Sequence, residues 1–285
     1  MPIANAAELA ATARQNGQAV GAFNVTDIEI TRGVVLAAEQ LGVPVIVEYA
    51  EVHGKYVPLE IIGPVMLAVA AQARVPVGVH YDHGEDFEQI KRAIELGFTS
   101  VMIDASHLPY AENVARTQEV VRYAHARAVA VEAELGTMTR EGGSPDDVDY
   151  ASLSDGYTVP AQAAQFVNET GVDLLAVAFG TVHGVYTQTP TLDFERLAAI
   201  NAVAGVPLVM HGGSGLSDAE YRAAIQAGIA KINYYSTMAY NVAGAVKSRL
   251  NTETAQTYIC DVSAWETELV RQDALAKLAV FAGRS

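Results

Sequence analysis

The sequence predicts a single α/β domain folded as a closed (β/α)8 barrel, the TIM-barrel architecture, with extra C-terminal helices. Three observations carry that expectation. Short apolar stretches alternate with helical ones along the chain, the pattern of a parallel sheet covered by helices. Eight strand-then-helix units can be counted, the number that closes a barrel. The chain has 285 residues, 51% of them hydrophobic, which suits one large barrel domain with a substantial core.

The units follow in order. Residues 5–16 read as a short helix with Leu9 and Ala13 on its apolar face. The first strand covers 18–24 and ends in Asn24; Thr26 or Asp27 then caps a helix that Gly42 stops. The second strand, 43–49, is an almost unbroken apolar run carrying Glu48, as in a sheet buried on both faces. Pro58 opens the next helix, to residue 73. The third strand, 76–82, alternates Val77, Val79 and Tyr81 with Gly78, His80 and Asp82, so one face is apolar and the other carries ionisable groups. A helix over 86–96 follows, closed by Gly97. The fourth strand, 99–103, ends in Asp104 and precedes a helix over 109–126. The fifth, 128–135, carries Glu132 and Glu134 on one face and leads into a polar loop over 136–158. A helix over 160–170, a strand over 173–179, a loop over 180–190, a helix over 193–204 and a strand over 206–210 continue the alternation. A Gly-rich loop at 212–215, a helix capped by Ser217 or Asp218, a last strand over 229–233 and a helix to residue 250 complete it. Residues 252–285, with Trp265, read as additional helix that covers the barrel or packs on a partner subunit. No linker interrupts the chain, so residues 1–285 are expected to form one domain.

Composition narrows the partners. The formal net charge is −15, from 33 acidic and 18 basic residues, which argues against nucleic acid and anionic membranes. Cys260 is the sole cysteine, so no intrachain disulfide forms and a reducing compartment fits. The N-terminus lacks a basic start followed by an apolar run, and no stretch approaches the roughly 20 apolar residues of a spanning helix. A cytoplasmic protein is expected.

In a barrel of this kind the loops after the strands form the active face. Asn24, Glu48, Asp82, His83, Asp104, Glu134, His183, His211, Ser214 and Asn233 all fall there. His83, His183 and His211 each follow a strand and precede a glycine. Three neutral imidazoles with a vacant fourth position match a catalytic rather than a structural Zn²⁺ site. His80 reads as their outer partner or as a barrel-interior residue. The loop Gly212-Gly213-Ser214-Gly215 and the segment from Asn233 to Thr237 follow the last two strands, the usual phosphate position in barrels, and offer backbone and hydroxyl donors.

These segments resemble the class II, metal-dependent aldolases of the fructose- and tagatose-bisphosphate aldolase family. The resemblance runs through residues 22–25 (AFNV), 80–84 (HYDHG), 100–106 (SVMIDAS), 131–136 (VEAELG), 178–184 (AFGTVHG), 192–194 (LDF), 211–215 (HGGSG) and 231–233 (KIN), in family order. It implies that His83, His183 and His211 bind Zn²⁺ or another divalent transition metal. Asp82 then exchanges a proton with the C4 oxygen, Glu134 serves an alternative metal position, and Asp104 is a site carboxylate. Gly184, Gly212 and Ser214 meet the ketose 1-phosphate and a monovalent cation (Na⁺ or K⁺), while Asn24, Asn233 and Ser236 meet substrate or phosphate. The implied reaction splits a ketose 1-phosphate or 1,6-bisphosphate into dihydroxyacetone phosphate and an aldehyde, with Zn²⁺ stabilising an enediolate, so no Schiff-base lysine is needed and Lys231 reads as structural. The family takes a second base from a mobile Gly-Glu loop; Glu141 is the candidate here. Relatives are homodimers or homotetramers.

The chain departs from the family pattern in three places. After the second strand it reads Glu48-Tyr49-Ala50-Glu51, without the serine that helps to hold a far phosphate; Glu51 either repels a dianion or pairs with Lys55. Tyr235 replaces a short polar residue, and the loop around Glu141 lacks the usual Gly-Gly-Glu-Glu run. An unphosphorylated acceptor aldehyde is the expectation. A non-catalytic phosphosugar-binding relative, and an epimerase or metal hydrolase on the same barrel, are the alternatives. Intact Asp82 argues against the first; the missing His-x-His pair on the first strand argues against the hydrolase.

Overall fold

The computed structural model describes residues 3–137, 153–184, 186, 188 and 190–284. Eight parallel strands close on themselves: β2 (Val20–Asn24), β3 (Val45–Ala50), β4 (Val77–Gly84), β5 (Ser100–Ile103), β6 (Ala130–Leu135), β7 (Leu174–Val177), β8 (Leu208–Met210) and β9 (Ile229–Asn233). Closure is made by β9 returning to β2, with Val20 opposite Lys231 and Ala22 opposite Asn233. Helices α2 (Ile28–Leu41), α3 (Leu59–Gln72), α4 (Phe87–Leu96), α5 (Tyr110–His125), α6 (Pro160–Thr170), α7 (Phe194–Ala204), α8 (Asp218–Ala227) and α9 (Ser236–Thr252) follow the strands. Their termini obey local rules. The Asp27 carboxylate accepts from the Ile30 N–H at 2.7 Å to start α2, and Gly42 ends it in the left-handed conformation. The eight-strand (β/α)8 expectation therefore holds, with most strand ends shifted by two residues or fewer.

One feature goes beyond the sequence reading: a short strand, β1 (Ile3–Ala4), pairs with the start of β4, and two residues are too few to show alternation. The tail forms the expected helix, α10 (Ile259–Phe281), which packs along α2 and touches α8, α9 and β2. It covers its own barrel: Phe281 is buried and meets the Tyr221 ring edge-on at 5.1 Å.

Helix α1 (Ala6–Gln15) closes the bottom. Ala6, Leu9, Ala10 and Ala13 recur at helical spacing and bury against the inward-facing Val20, Ala22, Ile46, Leu174, Ala176, Val209 and Ala230. Outward-facing Val45, Val47 and Tyr49 instead join the core beneath the outer helices. The alternation then carries Glu48 of β3, His80 of β4 and Glu132 of β6 into the barrel interior, where all three are fully buried.

One irregularity shapes the mouth. Along β4 and β5 the register runs from Tyr81–Val101 to Gly84–Ile103, so β4 spends an extra residue at positions 82–83. His83 sits there with φ +47°, a left-handed backbone that is uncommon for a non-glycine residue. Strict alternation would put Asp82 and His83 on opposite faces; the bulge brings both to the mouth. Gly84 is needed next to it, because a Cβ there would lie 2.7 Å from the Met102 carbonyl oxygen and from Ile90.

Candidate active site at the barrel mouth

Asn24, Asp82, His83, His183, Gly184, Gly212, Ser214, Asn233, Tyr234, Tyr235 and Ser236 line one cleft at the C-terminal ends of the strands. Nine of these eleven are the site residues expected from the sequence, and Tyr235 was expected as a specificity residue. A larger groove between α2, α9 and α10 is lined mainly by apolar side chains and lies outside the barrel.

Three imidazoles meet there. The His83 ring centre lies 4.5 Å from that of His211 and 4.8 Å from that of His183, and the latter two are 5.8 Å apart. One ligand atom from each falls within 4.8 Å of the others. His211 Nδ1 is 2.9 Å from His83 Nε2. Tetrahedral Zn²⁺ with Zn–N of about 2.0–2.1 Å needs ring nitrogens about 3.3 Å apart, so a small spreading of the rings would admit a cation. The donor set fits a divalent transition metal. A second group, His83, Asp104 and Glu134, also brings its ligand atoms within 4.8 Å.

Two of the three imidazoles are held in orientation by carboxylates. Asp104 Oδ2 lies 2.9 Å from His83 Nδ1, and the same carboxylate receives the Ser106 hydroxyl at 2.8 Å. Burial opposes ionisation of Asp104, but the His83 contact and the Ser106 bonds outweigh it and hold the carboxyl below its usual range. Glu132 Oε1 lies 2.7 Å from His211 Nε2. His80 points elsewhere, with its Nδ1 2.8 Å from the Ser100 hydroxyl, so it belongs to the barrel interior.

Asp82 accepts from Asn24 Nδ2 at 2.8 Å and from Asn233 Nδ2 at 3.2 Å. It is 1% exposed, yet His83, His211 and Lys231 overcome the burial and keep it ionised well below the ordinary carboxylate range. Below it, Lys231 Nζ donates to Asn233 Oδ1 at 2.8 Å and pairs with Glu48 at 2.6 Å and Glu132 at 3.0 Å. Burial raises Glu48 well above the ordinary range, with the Asp82 and Glu132 charges adding to it, whereas burial of Glu132 is overcome by Lys231 and His211 and it titrates at about 2. Lys231 is thereby held as the ammonium form: burial works against it, and Glu132 and Glu48 prevail. Glu134 goes the other way, raised well above the usual range by burial and by Asp104.

The phosphate side is sharper than its sequence. Ser217 caps α8 through a capping box with Glu220, so that helix end is occupied by its own side chains. The start of α9 has no side-chain cap, and Tyr235 and Ser236 line the cleft, so its first-turn N–H groups are the ones available to an anion. Ser214 Oγ accepts from the Tyr235 N–H at 2.9 Å, which leaves its own proton to donate. Gly212 has φ +63° and a Cβ there would stand 2.5 Å from the Val182 carbonyl oxygen, so the loop can pass only as glycine.

The specificity candidates separate. Glu48 is not at the mouth; it is fully buried on Lys231. Ala50 pairs in register with Asp82 and is also fully buried. Glu51 does not pair with Lys55 but accepts from Tyr81 OH at 3.0 Å and the Glu85 N–H at 2.9 Å. Glu141 lies outside the described residues. The sequence reading missed His53, which is 5% exposed and packs 4.9 Å from the Tyr235 ring, and Tyr186, whose hydroxyl donates to the Gly212 carbonyl at 2.6 Å. Glu132 and Lys231 were seen only as a strand-face acid and a structural lysine. Their spacing was the available signal, since each stands two residues before a site residue on the same strand face.

Fold and mouth together define the class: a (β/α)8-barrel enzyme whose side chains can hold a divalent cation and move a proton beside it. Comparison with known proteins makes this specific. Residues 4–282 match the family model described as fructose-bisphosphate aldolase class-II. The chain is 41% identical over 260 residues to a fructose-bisphosphate aldolase of Staphylococcus aureus, covering 89% of this chain and 88% of that one. The crystal structure of the YdjI aldolase from Escherichia coli K12 superposes with a TM-score of 0.86 at 35% identity, over 98% of this chain and 97% of that one. A fructose-bisphosphate aldolase from Campylobacter jejuni, at 21% identity and a TM-score of 0.78, shares the fold over 98% of this chain and 95% of that one. The chain belongs to the class-II fructose-bisphosphate aldolase family. It is an aldolase, a carbon–carbon lyase acting on ketose phosphates. Among the described residues no helix is long and apolar enough to cross a membrane.

Proposed function

We propose that the enzyme reversibly cleaves a ketose 1-phosphate to dihydroxyacetone phosphate and an unphosphorylated aldehyde, using a divalent metal held by His83, His183 and His211. The observation that carries this reading is the convergence of those three imidazoles beside an ionised, buried Asp82. A metal bound there supplies a Lewis acid for the negative charge that develops next to the ketose carbonyl.

The protein's own groups do the rest. Asp82 takes the proton of the C4 hydroxyl in cleavage and returns it in condensation. Asn24 and Asn233 each donate to one of its oxygens and so fix the direction of that transfer. Asp104 sets the orientation of His83. Ser214, Ser236 and the N–H groups at the start of α9 receive the phosphate of the donor half, with Gly184 and Gly212 giving it room and a monovalent cation, Na⁺ or K⁺, beside it. Glu134 offers a second metal position with His83 and Asp104.

On the acceptor side the family serine is replaced by buried Ala50, and Glu51 is a carboxylate engaged with Tyr81 and the loop after β4. Neither supports a second dianionic group, which favours a neutral aldehyde. Steady-state assay of a ketose 1-phosphate beside fructose 1,6-bisphosphate tests this; the monophosphate is expected to have the higher kcat/KM. Equal or better turnover of the bisphosphate would overturn the acceptor assignment and leave the aldolase intact. The exposed thiol of Cys260 fits a cytoplasmic setting. Exposed Tyr240, Leu250, Tyr258 and Ile259 around α9 and the start of α10 support assembly as a homodimer or homotetramer.

A further inference from the structure

Beneath the histidine trio lies a second group of ionisable side chains that the reaction above does not use directly. Glu48, Glu132 and Lys231 are all fully buried in the barrel interior. A buried carboxylate and ammonium persist only when each is paired and further hydrogen-bonded. Here the pairing reaches upward in two directions. Glu132 gives Oε2 to Lys231 at 3.0 Å and Oε1 to His211 Nε2 at 2.7 Å. Lys231 also donates to Asn233 Oδ1 at 2.8 Å, and Asn233 in turn donates to Asp82.

An imidazole has two ring nitrogens, and a ligand must offer the unprotonated one. With Glu132 accepting at Nε2, the proton of neutral His211 is placed there and the lone pair is placed on Nδ1. Nδ1 is the atom that points into the trio, 2.9 Å from His83 Nε2. Glu132 cannot turn away from this duty, because its second oxygen is tied to Lys231. Glu48 touches the same ammonium at 2.6 Å and is equally buried, but no hydrogen bond joins it to a histidine of the trio among the described residues.

We infer that Glu132, anchored by Lys231, is a positioning residue that fixes the tautomer and aim of His211 for metal binding, and that Glu48 is not. This rests on the reading of His83, His183 and His211 as the metal site. The same lysine, through Asn233, holds Asp82, so one buried cation aligns the metal ligand and the proton carrier together.

The test is Co²⁺ binding to chelator-stripped protein, read as the d–d absorption spectrum and as the dissociation constant in competition with a chelator, without any turnover. Glu132→Gln is expected to weaken Co²⁺ binding about 10- to 100-fold and to alter the spectrum, the range typical for loss of an outer partner of a metal-ligating histidine. Glu48→Gln, which disturbs the same buried pair, is expected to stay within about twofold of wild type. Lys231→Met should follow Glu132→Gln, and Lys231→Arg should recover part of the loss. If Glu132→Gln fails to fold, Glu132→Asp keeps the charge while shortening its reach and is expected to weaken binding with a near-wild-type circular dichroism spectrum. Unchanged affinity and spectrum in the Glu132 variants would overturn the inference, and so would an equal loss in Glu48→Gln, which would mark a merely structural network. Failure of the underlying metal reading looks different: wild type and His211→Ala would then bind Co²⁺ alike.

Discussion

At the end where the strands begin, Ala6, Leu9, Ala10 and Ala13 of α1 lie on Val20, Ile46, Leu174 and Val209. At the end where the barrel strands finish, Asn24, Asp82 and Glu134 on strands and His211 just after β8 are all buried. The lower end is closed by apolar contact. The upper end concentrates buried carboxylates, imidazoles and a left-handed His83, arrangements that cost stability and exist for chemistry. Between the two sits the ionic layer of Glu48, Glu132 and Lys231, which neutralises itself and supports the groups above. The difference teaches that folding and catalysis are separable along the barrel axis.

Substitutions at the two ends should therefore fail in opposite ways. The largest effect is expected from Asp82→Asn. Loss of the proposed proton carrier should lower kcat by about 10²–10⁴, the usual worth of a general acid/base, while the melting temperature moves by only a few degrees. A large drop in melting temperature with activity intact would break the contrast. Leu9→Ala, at the other end, removes a side chain 9% exposed and should cost about 2–5 kcal/mol of stability in denaturant unfolding, with kcat unchanged at temperatures where the protein stays folded. A fall in kcat would show that the plug reaches the mouth.

The smallest expected effect sharpens the upper end. Burial lowers His53 to about 4, with Asp82 opposing the shift only in part. Its unfolded value is near 6.5, so between these limits the unfolded chain binds a proton that the folded protein does not. Stability from this residue is present above pH 6.5 and is lost as pH falls toward 4, by at most about 3 kcal/mol. Thermal melts of wild type and His53→Gln between pH 7.5 and 4.5 measure it; the variant should lose less stability over that range. Parallel curves would remove His53 from the account.

Much of this was legible in the residues. The eight alternating units gave the barrel, and polar groups at the strand ends gave the mouth, because periodicity reports which face is buried. What escaped had physical reasons. Two-residue β1 is too short for any period. Alternation put Glu48 near the mouth, but alternation fixes only the face a side chain takes; closure of the sheet brings Lys231 to within 2.6 Å of Glu48 and holds it in the interior. His53 carried no signal because a short turn after β3, rather than a strand, delivers it to Tyr235. The partners of Glu132 come from β8 and β9, some 80–100 positions away, and only closure of the sheet brings them together.

The extra residue in β4 has one more consequence. Because Asp82 and His83 are consecutive, a single peptide unit sets the gap between the proposed base and the proposed ligand. Surrounding loops can then diverge toward new aldehydes while that spacing is kept by the kink in β4.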